Sequence, residues 1–277
     1  MVSLLPLEAW CRRNTGAGRR VCRSLCCGVL ALMLCSGRGC GAPVRAEEVW
    51  RVQILGDSAP LSYRNDQGEL SGFNVDLAET ICTRLRIQCR FSSGVFNEIF
   101  DAVSSGQIEL GFGNFLRTAE REQRVLFSDP IWRSVSAFVI REEMENGEDD
   151  VRSLADGQRV AAVTGSAQAR YVRQQLPAAT LVEYSTARVC IEAIRRQEAD
   201  VALVPMMNAL TLLHLAGHDR LSLGPLVTHP GLEGSVHIAF PKNRSDIKVR
   251  VDAVIADLVA DGTHKRLSRR YFPFDIY

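Results

Sequence analysis

The chain has 277 residues, with 33 Lys and Arg against 32 Asp and Glu, and is 46% apolar and 7% aromatic. That is the composition of a globular protein of one large or two small domains. Residues 1–46 hold seven Arg and one Glu, so the remainder carries 26 basic and 31 acidic residues, a net −5. Such a balance argues against a basic nucleic-acid-binding face. Beyond the N-terminal segment no stretch is apolar enough to span a membrane.

Residues 1–46 read as a signal peptide. Arg12, Arg13, Arg19, Arg20 and Arg23 form a positive region. Leu25 to Cys35 is an apolar core of the length a secretory signal needs, too short for a stable membrane anchor. Val44-Arg45-Ala46 supplies compact residues before a cleavage point, giving an expected mature start at Glu47; a cut after Ala42 is the alternative. Neither Cys35 nor Cys40 has the preceding residues of a lipoprotein start. The expected destination is the periplasm. Six of the nine cysteines lie in this segment, leaving Cys82, Cys89 and Cys190. In an oxidising compartment Cys82 and Cys89, seven apart, can bridge, or they can stay as two buried thiols. Cys190 is expected to pack in a helix core.

Trp50 to Leu55 alternates apolar and polar residues and predicts a strand. Asp57 to Leu61 follows as a loop, and Asn65 to Gly68 as a tight turn. Gly72 opens a helix in which Leu77, Ala78, Ile81, Cys82 and Leu85 share a face, with Asn74 or Asp76 in its first turn. Phe96 precedes a helix predicted over 98–105, with Phe100 and Val103 inward. Ile108 to Phe112 and Ser134 to Ile140 predict strands. An acidic loop follows from Glu142 to Asp150. Further strands are expected at Arg159 to Val163, Leu181 to Tyr184, Asp200 to Val204 and Ser235 to Phe240. Val189, Ile191 and Ile194 mark a helix. Ile247, Val251, Ile255 and Leu258 mark another, stopped at Asp261-Gly262, before a short basic helix from Thr263 to Tyr271. Alternating strands and helices imply an α/β architecture with largely parallel sheets. His214 and His218 have the spacing of a metal pair, but Gly217 interrupts their helix and no third ligand is near, so no metal site and no cofactor are expected.

Two stretches have the chemistry of an anion site. In the run from Leu116 to Pro130, Thr118 suits a helix N-cap, and Arg121 in the first turn offers a planar fork beside unpaired N–H groups, a combination that holds a carboxylate. The alternative is an Arg121 ion pair with Glu120 or Glu122. Ser166, in Thr164-Gly165-Ser166, can meet an anion or simply cap its helix.

The pattern T-x-E-R-x-x-x-V-x-F-S-D-P, from Thr118 to Pro130, resembles the signature of the family-3 periplasmic solute-binding proteins, the polar amino-acid receptors of ABC transporters. Gly72-Phe73-Asn74-Val75-Asp76-Leu77-Ala78 is a second, weaker match. The resemblance covers residues 48–275. It implies two α/β lobes of the type II periplasmic-binding-protein fold joined by two crossover strands. Lobe I is expected over 48–139 plus 238–277 and lobe II over 141–236. It implies that Arg121 holds a ligand carboxylate and that Phe96 packs on the ligand side chain. It also favours a Cys82–Cys89 disulfide. Four positions depart from the family pattern. Pro205 stands where an Asp pairs with the ligand ammonium, Leu116 where a hydroxyl residue is usual, Ala167 where Thr follows Gly-Ser, and Ser58 near an expected aromatic. Arg121, Phe96 and Asn114 remain as polar or aromatic ligand contacts. Burying an ammonium without a counter-charge is costly.

The expectation is a periplasmic solute-binding protein, not an enzyme, that takes an amino acid or related small carboxylate and passes it to an ABC permease in the inner membrane. Two alternatives come from the same resemblance: a non-transport partner of a periplasmic quinoprotein dehydrogenase, and a periplasmic dehydratase, for which no acid in the cleft stands out.

Overall fold

A computed structural model describes residues 48–144, 150–215 and 220–277. The expected signal peptide, residues 145–149 of the acidic loop and His218 of the histidine pair lie outside them. His214 is exposed, and no cluster of three or more metal-ligating side chains occurs among the described residues.

The first part of the chain runs β1 (Val49–Leu55), β2 (Asp57–Ser58), β3 (Ser62–Arg64), β4 (Leu70–Ser71), α1 (Phe73–Leu85), β5 (Gln88–Gly94), α2 (Phe96–Ser104) and β6 (Leu110–Leu116). It continues through α3 (Ala119–Arg124), β7 (Val125–Phe127) and β8 (Trp132–Ser134). Next come β9 (Ser136–Arg141), α4 (Val151–Ala155), β10 (Arg159–Val163), α5 (Ala167–Gln175), β11 (Thr180–Tyr184) and α6 (Ala187–Arg195). The chain closes with β12 (Val201–Pro205), α7 (Met206–Leu215), β13 (Leu221–Val227), β14 (Gly234–Pro241), α8 (Ser245–Ala260) and α9 (Thr263–Ser268).

These elements form two α/β lobes. In the first sheet the order is β5-β1-β6-β14-β7, with β8 also on β14. In the second it is β11-β10-β12-β9-β13. Parallel pairing is confined to β5-β1-β6 and β11-β10-β12; the remaining strands of both sheets run antiparallel. The expectation of largely parallel sheets therefore holds for half of each sheet. The difference comes from the crossovers: chain that leaves one lobe and re-enters the other does not need a covering helix between its strands, so antiparallel neighbours are allowed.

The handovers also differ from expectation. Ser134 to Ile140 is not one strand. Ser134 pairs with Gly234 in the first sheet, whereas Ser136 pairs with Pro205 and Val227 in the second, so the chain changes sheets at Val135. The return lies within 228–233, because β14 already belongs to the first sheet at Gly234. Lobe bounds of 48–139 plus 238–277 and 141–236 are thus displaced by several residues. At the first crossing Ser134 and Ser136 are both buried, so neither polarity nor burial marks the change of sheets at Val135 between them.

Local chemistry explains most elements. In α1 the expected face is buried at Leu77, Ala78, Ile81 and Cys82 and half-buried at Leu85. The helix starts at Gly72, whose φ is +120° and whose Cβ, if present, would lie 2.6 Å from the Leu61 carbonyl oxygen. Only glycine fits that approach. Cys82 and Cys89 form a disulfide, tying the end of α1 to β5. Cys190 is buried in α6, and burial pushes its thiol up to about 12. Gly262, at φ +73°, turns the chain from α8 into α9. The strands of the hairpin patch β2-β3-β4 are only two or three residues long and β13 is interrupted by Gly224-Pro225, so the sequence alone does not predict them.

Candidate ligand-binding cleft

A cavity of about 290 Å³ lies where both sheets present the C-terminal ends of their parallel strands. This is the position where open α/β sheets bind ligands, because neighbouring loops diverge there and leave a crevice. Asp57 and Ser58 follow β1, Ser166 follows β10, Thr186 follows β11, and Pro205 ends β12. The walls are largely apolar, from Leu55, Phe96, Leu116, Trp132, Val163 and Pro205.

Arg121 lies in α3, whose N-cap Thr118 accepts from the Arg121 backbone N–H at 3.3 Å. The side chain is 5% exposed. Its Nη1 donates to the Leu116 carbonyl at 2.9 Å and its Nη2 to the Gly165 carbonyl at 3.2 Å, and its guanidinium stands 5.1 Å from the centre of the Phe96 ring. Among the described residues it makes no ion pair. The expected alternative partners are engaged elsewhere, Glu120 with Arg170 at 3.3 Å and Glu122 with Arg117. Burial, reinforced by Arg170 and opposed by Glu120, lowers its pKa to about 10, so it stays charged at neutral pH. A buried cation held only by carbonyl dipoles and a ring face is short of negative charge. Three of its five N–H groups have no protein acceptor among the described residues.

A second cluster is neutral. Ser58 Oγ accepts from Asn114 Nδ2 at 3.0 Å and from Asn208 Nδ2 at 2.9 Å. Asn114 Oδ1 accepts from Asn74 Nδ2 at 2.8 Å. Asn114 has φ 54°, the left-handed conformation that asparagine tolerates better than most residues. Ser58 and Asn208 are 5% and 3% exposed.

All seven residues singled out from the sequence line this cavity: Arg121, Phe96, Asn114, Leu116, Ser166, Ala167 and Pro205. Ser166 also caps α5 by accepting from the Ala169 N–H at 3.1 Å, so capping and cleft position coexist. Phe96 is the first residue of α2 rather than the residue before it, and its ring meets Phe115 edge-on at 5.0 Å. Residues the sequence did not single out are Asp57, Trp132, Gln168, Thr186 and Asn208. Asn208 lies one turn into α7, just past the end of β12, and that placement was the available signal. Gln168 connects the cavity to the crossings: its Nε2 donates to Ser136 Oγ at 2.9 Å, and that hydroxyl donates to the Leu232 carbonyl at 3.1 Å.

The lobes meet across the cleft. Asp57 accepts from Arg188 Nε at 2.8 Å and from the Thr186 hydroxyl at 3.2 Å, and Asn208 also reaches the Ala59 carbonyl at 3.4 Å. Gly165, at φ +70°, approaches Asn97 so closely that an added Cβ would lie 2.3 Å from Asn97 Oδ1. The structure is that of a closed cleft.

Residues 50–274 match the profile of the bacterial extracellular solute-binding proteins, family 3. The chain is 26% identical over 224 residues to the histidine-binding periplasmic protein of Escherichia coli (strain K12), covering 79% of this chain and 85% of that one. It is 25% identical over 237 residues to the L-arginine-binding protein of Pseudomonas aeruginosa, covering 84% and 91%. The fold matches that of an ancestral arginine-binding protein bound to arginine, with a TM-score of 0.74 at 21% identity over 81% of this chain and 98% of that one. With the two-lobed fold, the cleft at the strand ends and a profile match across nearly all of the described chain, this protein belongs to the bacterial extracellular solute-binding proteins of family 3.

Proposed function

We propose that this protein is a periplasmic receptor that encloses an amino acid or related small carboxylate between its lobes and delivers it to an ABC-type permease in the inner membrane. The observation that carries this reading is Arg121, a buried and charged guanidinium with no acidic partner among the described residues. A carboxylate accepting two parallel N–H bonds from it would supply the missing charge. Phe96 would then lie against the ligand, with Leu116, Ala167 and Pro205 as apolar walls and Ser166 and Asn114 as polar contacts. Residues 1–46 would direct export. The lobes, taken as 48–134 plus 234–277 and 136–227, would open and close about Val135 and the 228–233 segment, and the permease would read the closed form.

The test is a thermal-shift screen of residues 47–277, unfolded and refolded first to remove carried-over ligand. The library holds amino acids, with histidine and arginine first because relatives bear those names, then keto and hydroxy acids, dicarboxylates and amines. A ligand at about a hundred times its Kd adds about 2.7 kcal/mol, which is several degrees for a chain of this size. Stabilisation by acids and not by the amines supports the reading. Stabilisation by amines alone would sink it.

A further inference from the structure

We infer that the solute is a carboxylate bearing a hydroxyl or keto oxygen where an amino acid bears its α-ammonium, and that Ser58 is the residue that selects it. The inference rests on the receptor reading above. Ser58 lines the cavity, is 5% exposed, and accepts two N–H bonds on its Oγ, from Asn114 and Asn208. A hydroxyl has one donor and two acceptor positions. With both acceptor positions taken, what Ser58 has left is its O–H, and among the described residues that hydrogen has no acceptor. Together with Arg121, three of whose N–H groups have no protein acceptor among the described residues, this O–H asks for oxygen atoms.

The acids present do not offset that demand. Asp57 is engaged by Arg188 and Thr186, and Glu98 accepts the Val95 backbone N–H at 3.2 Å. Pro205 supplies no charge. An ammonium placed beside Ser58 would meet neutral amide oxygens, such as that of Asn208, with Asp57 already paired to Arg188 and Glu98 exposed on α2 and bound to the backbone where that helix begins, and it would confront the Ser58 O–H with another donor. A hydroxyl or keto oxygen accepts from Ser58 without that conflict. Sites built to bond one polar group reject its mismatched analogue strongly, because a buried group is left unpaired.

The test uses protein purified from the periplasm after export of the full chain, stripped of ligand and titrated calorimetrically. Probes come in matched sets: pyruvate, lactate and alanine; α-ketoisocaproate, α-hydroxyisocaproate and leucine; α-ketoglutarate, α-hydroxyglutarate and glutamate. In at least one set an oxygen form should bind at least about tenfold more tightly than the amino acid. Ser58→Ala should erase that preference, and Asn208→Asp, which adds a carboxylate beside Ser58, should shift it toward the amino acid. An amino acid that binds as well or better in every set overturns the inference, as does silence in all three sets. A preference that survives Ser58→Ala overturns the role of Ser58. Should Ser58→Ala not fold, the wild-type sets and Asn208→Asp still decide. The primary amide of the best probe separates the two readings. Amide binding equal to that of the acid overturns Arg121 as anchor, whereas loss of binding by the amide together with preference for the amino acid leaves the receptor reading standing and removes only this one.

Discussion

Two clusters line the same cavity and are satisfied to opposite degrees. Arg121 is a buried cation whose protein contacts are two carbonyls and an aromatic face. Ser58, Asn114 and Asn208 are neutral and bonded to one another and to Asn74. The first cluster stores an unmet electrostatic demand, and the second stores shape and hydrogen-bond direction. A buried charge without its partner costs several kcal/mol, whereas a neutral bond is worth about 1 kcal/mol. Affinity should therefore reside mainly with Arg121, and discrimination among carboxylates with the Ser58 cluster.

The largest expected effect follows from removing the charge. Arg121→Ala should weaken carboxylate binding at least a hundredfold, about 3 kcal/mol, with little loss of ligand-free stability, since the buried charge removed has no acidic partner among the described residues. Calorimetric titration beside a thermal melt checks both halves, and unchanged affinity would make Arg121 structural.

A perturbation far from both clusters sharpens the contrast. Reducing the Cys82–Cys89 bridge should cost about 2.5 kcal/mol of stability from loop entropy and lower the melting temperature, while the relative affinities of carboxylates stay the same. Free-thiol counting after denaturation should find one reactive thiol per chain among residues 47–277, that of Cys190.

Closure can be attacked through Gly165. Gly165→Ala combines a positive φ with a Cβ only 2.3 Å from Asn97 Oδ1. It should weaken all ligands by about tenfold, without changing their order, because closure is hindered for each alike. Small-angle scattering should show a more open average with saturating ligand. A changed rank order would mean that Gly165 acts on specificity.

The smallest effects concern pH. His237 and His264 are buried, their rings donating to the Ser128 and Ile131 carbonyls at 2.7 and 2.6 Å. Burial lowers the pKa of both below the ordinary 6.5. A group depressed in the folded state contributes stability above its unfolded pKa and loses that contribution as pH falls through the folded value. The melting temperature should therefore drop on acidification below about 6.5, whereas carboxylate binding should hold there, since Arg121 titrates near 10. His237→Gln and His264→Gln should each flatten the melting curve against pH. Binding that falls in step with the imidazole titration would break the separation.

What was legible in the sequence was local. The apolar face of α1, the Thr118 cap before Arg121, the glycine stop after α8 and the strand cores around β1 and β10 follow from spacing and from the needs of unpaired backbone groups. Pro205 and Leu116 could be placed beside the cleft because the resemblance supplied an alignment, but their effect on the ligand could not be read, since it depends on what faces them. The position of the sheet change at Val135, the antiparallel halves of both sheets and the meeting of Ser58 with Asn208, 150 residues apart, were decided by tertiary structure. Hydropathy records burial but not which neighbour causes it, and a hydrogen-bond partner far along the chain leaves no mark on local spacing. The amino-acid sequence thus determined the elements and the anchoring charge. Packing alone decided that this charge has no acidic partner among the described residues and that Ser58, Asn114 and Asn208 form a neutral cluster in the same closed cleft.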